Sequence, residues 1–79
     1  MIVKKSKMTY IEVIEKCKGK MRYGDLWPEF TLEELIDYAR IKAKRGVILY
    51  NRGMAIKAED DLLDAVNILI CAVFKLDSL

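Results

Sequence analysis

Apolar residues recur along this chain at spacings of three and four, in three separate runs. In the first, Tyr10, Val13, Ile14, Cys17 and Met21 share a face. In the second, Leu32, Leu35, Ile36, Ala39, Ala43 and Tyr50 form one stripe, with Ile41 and Ile48 roughly opposite. A helix with two apolar faces contacts two neighbours. The third run is the most apolar. Leu62, Leu63, Ala65, Val66, Leu69, Ile70, Ala72, Val73 and Phe74 cover most of its circumference, and Asp60, Asp64, Asn67, Cys71 and Lys75 fall in one narrow polar stripe. No segment carries a convincing strand pattern. The pattern predicts an all-α fold: a three-helix unit over about 10–22, 32–50 and 58–76.

Local signals place the helix ends. Thr9-x-x-Glu12 and Thr31-x-x-Glu34 both read as capping boxes. Gly19 weakens the last turns of the first helix, and Tyr23-Gly24-Asp25 reads as its exit turn. Pro28 breaks any helix in the connector, where Trp27 and Phe30 are expected to pack over the core. Asn51-Arg52-Gly53 is a helix stop. Both connectors read as seven or eight residues long.

Composition adds an assembly state. Seventy-nine residues make one domain, 1–79, with residues 1–8 read as a flexible basic N-terminus. The hydrophobic fraction of 53% exceeds what so small a core needs. The surplus on the third helix predicts that the unit assembles through it into a helical-bundle homo-oligomer, a dimer or a tetramer. The opening residues lack the apolar stretch of a signal peptide. The run 62–76 is too short to span a bilayer and is interrupted by Asp64, Asn67 and Lys75. A soluble, cytoplasmic protein without a membrane partner is expected.

Charge is segregated along the chain. Residues 1–24 carry about +5, residues 25–39 about −5, residues 40–57 about +6 and residues 58–79 about −4, for a net +2. Such blocks fit segments that attract one another, or that bind anions at specific places. They do not fit a uniformly basic nucleic-acid binder, and the long connectors do not fit a helix-turn-helix. Nucleic acid is therefore an unlikely partner. The chain has no histidine, which removes histidine metal sites and His-dependent triads. Its two cysteines, Cys17 and Cys71, form no C-x-x-C and read as buried thiols.

The remaining chemistry is acidic. Glu33, Glu34 and Asp37 stand near the start of the second helix, and Asp60, Asp61 and Asp64 near the start of the third. Spacings of three and four put carboxylates on one helical face, and two such faces together would hold a hard divalent cation. Glu33-Glu34-Leu35-Ile36-Asp37, followed after 23 residues by Asp61-Leu62-Leu63-Asp64, resembles the E-E-x-x-E … E-x-x-D signature of MazG-like all-α nucleotide pyrophosphohydrolases. Asp stands for Glu at Asp37 and Asp61. Arg40 through Asn67 is also similar to small phage-type members, in which a basic helix precedes an acidic turn and a D-x-x-N helix. The resemblance spans roughly residues 31–76. It implies Mg²⁺ held by Glu33 or Glu34 with Asp37, Asp61 and Asp64. It also implies a nucleoside triphosphate neutralised by Arg40, Lys44, Arg45 and Arg52, with Asn67 as a further polar group. The product would be a nucleoside monophosphate and pyrophosphate. The family's catalytic unit normally uses four helices, so a dimer would supply the missing wall; a catalytically degenerate nucleotide-binding relative is the other form of this expectation.

The same residues have an ordinary reading. Acids in a first turn favour the helix macrodipole, which accounts for Glu33, Glu34, Glu59, Asp60 and Asp61. Asp37 and Glu33 share a surface stripe with Arg40 and Lys44. The polar stripe of the third helix is, on this reading, its wet face, and the protein is a non-enzymatic helical oligomer such as an adaptor, a regulator or a viral-type accessory protein. Asp64 and Asn67 fit this reading least. They lie past the first turn of an otherwise apolar helix, and burying either requires a partner.

Overall fold

The computed structural model describes residues 8–20 and 27–78. The expected exit turn at Tyr23-Gly24-Asp25, the end of the first helix beyond Lys20 and all but Met8 of the N-terminal arm lie outside the described residues. The described residues are helical, with no strand. Helix α1 is Tyr10–Gly19, a single 3-10 turn spans Trp27–Glu29, α2 is Leu32–Asn51 and α3 is Ala55–Asp77. No helix among them is long and apolar enough to cross a membrane.

The caps follow the local sequence. At α2, Thr31 Oγ1 accepts from the Glu34 amide at 3.1 Å and the Glu34 carboxylate accepts from the Thr31 amide at 2.9 Å, completing the capping box. At α1, Thr9 Oγ1 accepts from the Glu12 amide at 3.2 Å. Helix α2 ends at Asn51, and the turn that closes it places Gly53 at φ +75°. The Gly53 amide donates to the Tyr50 carbonyl (3.0 Å) and the Met54 amide to the Leu49 carbonyl (2.9 Å), the paired closure of a Schellman turn.

This turn corrects the sequence reading. Helix α3 starts at Ala55, three residues before the expected 58, and its N-cap Met54 makes no side-chain hydrogen bond. Without a polar cap, nothing in the sequence marked that start. The α2–α3 connection is thus three residues, 52–54, and not seven, and it folds the two helices into an antiparallel hairpin.

The hairpin holds the core. Leu35 and Ala39 of α2 meet Ile68, Cys71 and Ala72 of α3, with Phe30, Leu32 and Ile36 packed against them. Nearer the turn, Gly46 of α2 is buried against Ala58 and Leu62. Tyr50, expected on the core face, is 68% exposed and lines the open cleft between Gly46 and Leu62. Ile41 and Ile48 face outward, as a second apolar face. Helix α1 touches α3 far less extensively than α2 does. The 3-10 turn is tied to the end of α3 by Lys75 Nζ, which donates to the Pro28 carbonyl at 3.1 Å.

Candidate functional site

The polar stripe of α3 faces the interior of the chain. Asp61, Asp64 and Asn67 are 8%, 3% and 0% exposed, and Cys71 lies in the core one turn beyond. The wet-face reading of this stripe therefore holds only for Asp60, which remains exposed, and in part for Lys75. Period and turn position put the other groups on the side of α3 that α1 and α2 cover.

Each buried acid meets cations from neighbouring helices. Lys42 of α2 reaches Asp64 Oδ2 at 3.5 Å and Asp61 Oδ1 at 3.9 Å. Arg45, one turn along the same face, places Nε 3.2 Å from Asp61 Oδ2. Lys20, at the C-cap of α1, lies 2.8 Å from Asp60 Oδ1 and 3.9 Å from Asp64 Oδ1, and donates to the Asp60 carbonyl at 3.3 Å. Lys16 adds an outer pair with Glu59 at 2.7 Å. Deeper in, Asn67 Nδ2 donates to the Cys17 carbonyl at 2.9 Å, fixing α1 to α3.

This charged seam is incompletely hydrogen-bonded. Asp61 Oδ2, Asp64 Oδ1 and Asn67 Oδ1 are buried and accept no hydrogen bond. Arg45 stands near Asp61 Oδ2 as an ion pair without the alignment of a hydrogen bond, and Lys20 stands too far from Asp64 Oδ1 to make one. A buried acceptor left in this state is costly unless something else satisfies it. Beside the seam a cleft of about 270 Å³ opens at the hairpin turn, lined by Arg45, Leu49, Met54, Lys57, Asp60 and Asp61. It brings two cations and two carboxylates to one mouth.

The sequence-derived residues divide into those the fold gathers and those it does not. Asp61, Asp64 and Arg45 come together. Glu34 is held in the α2 cap. Glu33, Asp37, Arg40, Lys44 and Arg52 are exposed. Within one chain, no three acid, thiol or imidazole groups among the described residues lie close enough to hold a metal ion. The full set Glu34, Asp37, Asp61 and Asp64 is thus not assembled by a single subunit. The reading missed Lys42 and Lys20, the two lysines that meet Asp64. Lys42 precedes Arg45 by three, the spacing of one helical face, and that was the available signal.

The two thiols are inert by environment. Burial pushes the Cys17 thiol above its ordinary pKa, against a smaller opposing effect of Lys20. Burial likewise raises Cys71, against a backbone hydrogen bond. Both stay protonated at neutral pH and serve as small core groups.

Comparison with protein-family models, curated proteins and solved structures finds no match to this chain.

Proposed function

We propose that this chain is a MazG-like nucleotide-binding subunit that takes the phosphates of a nucleotide, with Mg²⁺, at the Asp61 end of the seam. The observation that carries the reading is the pair of buried carboxylate oxygens, Asp61 Oδ2 and Asp64 Oδ1, that accept no hydrogen bond. They belong to the acids that the D-x-x-D resemblance singles out, and Asp61 borders an open cleft whose other charged walls are Arg45, Lys57 and Asp60. The fit to a metal is partial. One chain offers Asp61 and Asp64, and no third acid, thiol or imidazole among the described residues lies close enough to complete a metal site with them. Mg²⁺ would bind phosphate oxygens there, and Arg45 and Lys57 would neutralise the remaining phosphate charge. Hydrolysis of the α–β phosphoanhydride is the activity the resemblance implies; binding is what the chain's own residues support.

A second reading rests on the same seam. Lys20, Lys42 and Arg45 already neutralise Asp61 and Asp64 within the chain, which favours a non-enzymatic helical oligomer whose ion pairs only align the helices.

Thermal melting of the full chain separates the two. With Mg²⁺ or Mn²⁺ and a panel of ribo- and deoxynucleoside triphosphates, a true site at a hundred times its Kd stabilises by about 2.7 kcal/mol. For a domain this size that raises Tm by about 10 °C or more. Asp64→Asn should abolish the rise, and pyrophosphate release should be followed in parallel. No saturable rise with any nucleotide would leave the oligomer reading standing and remove the nucleotide one.

A further inference from the structure

Directly opposite the buried polar stripe, α3 carries a second pattern. Leu62, Val66, Leu69, Val73 and Leu76 follow one another at intervals of four, three, four and three. This is a heptad seam, with valine at each a position and leucine at each d position. Apart from Leu62, which also packs against Gly46, the stripe lies outside the chain's own core. Leu62, Leu69, Val73 and Leu76 are 46%, 45%, 62% and 53% exposed, and Val66 is half-buried. We infer that this seam docks a second copy of the chain, α3 against α3, parallel and related by a two-fold axis.

Three features select that occupant. Within a parallel arrangement, β-branched a positions with leucine at d favour two strands over three or four. A stripe of this kind is self-complementary, as a two-fold interface must be. The area is sufficient: with Val47 and Tyr50, which flank Leu62 across an apolar cleft of about 280 Å³, the stripe leaves roughly 500 Å² uncovered, so a pair buries about 1,000 Å², where specific interfaces begin. Of the positions beside the seam, Leu63, Ala65 and Ala72 are buried in the chain's own bundle, Ile70 is half-buried, and the one charge is Asp77 at the helix end. Pairing is therefore set by the seam and not by flanking ion pairs. The inference rests on α3 together with Val47 and Tyr50 of α2, and holds whether or not the acidic seam takes a nucleotide.

Sedimentation of the full chain tests it. The wild type should run at twice 9.1 kDa. In a parallel pair, residue 73 of one copy meets residue 73 of the other. Val73→Glu alone and Val73→Lys alone should each run as monomers, and an equimolar mixture should return to the dimer, which a misfolded variant would not do. Ile41→Glu, on the outward face of α2, should leave the dimer intact. A wild type that stays monomeric at about 100 µM, a Val73→Glu chain that stays dimeric, a mixture that fails to reassociate, or dissociation by Ile41→Glu would each overturn the inference.

Discussion

The Asn67 amide makes its hydrogen bond across 50 residues of chain, to the Cys17 carbonyl. That carbonyl also accepts from the Lys20 amide at 3.1 Å, so removing Asn67 does not orphan it. The loss would instead be one buried bond and the space the side chain fills, partly offset because Asn67 Oδ1 accepts nothing. Asn67→Ala is accordingly expected to cost about 1–2 kcal/mol, read from the urea midpoint. The cost should be local as well as global. Amide exchange in α1 should accelerate more than exchange in α2, because α1 packs on α3 far less extensively than α2 does. Equal acceleration in both helices would show that Asn67 supports the whole core and not the α1 contact.

Between elements, the close approach of α2 to α3 falls at Gly46. A Cβ there would stand 3.0 Å from Leu62 Cγ and 3.3 Å from the Ala58 carbonyl oxygen. Glycine costs a helix about 1 kcal/mol relative to alanine, and here it allows two helices to come together. Gly46→Val should lower stability by about 1–3 kcal/mol through overpacking, seen as a fall in Tm; an unchanged Tm would mean that the helix spacing is set elsewhere. The sequence made some of this architecture legible and not the rest. Thr31 and Glu34 announce their cap because both partners lie within one turn. Gly46, Tyr50 and the Ala55 start depend on where two helices cross, and helical period does not contain that. The wheel of α3 likewise gives the Asp64–Asn67–Cys71 stripe but not its direction. Its inward direction brings Lys42, 22 residues from Asp64, and Lys20 beyond the end of α1 onto the acids. Asp61 and Asp64 were therefore found as candidate residues, and the cations that hold them were not.

For the molecule as a whole, the acids of α3 pair with basic residues of α1 and α2. The basic half of α2 meets the acidic second and third turns of α3 through Lys42 and Arg45, and the end of α1 meets them through Lys16 and Lys20. A 79-residue chain has little core to spare for charge, and an apolar seam of similar volume is often as stable or more so. The distinction between structural and functional charge follows from that comparison. Lys42→Met alone leaves Asp64, 3% exposed, with only the distant Lys20, and is expected to cost about 3 kcal/mol. Adding Asp64→Leu removes the stranded charge and should bring the urea midpoint back to within about 1 kcal/mol of wild type. A double variant as unstable as the single one would show that the pair itself holds the helices, favouring the structural reading. A stable double variant that no longer responds to Mg²⁺ and nucleotide would place Asp64 in the chain for its ligand.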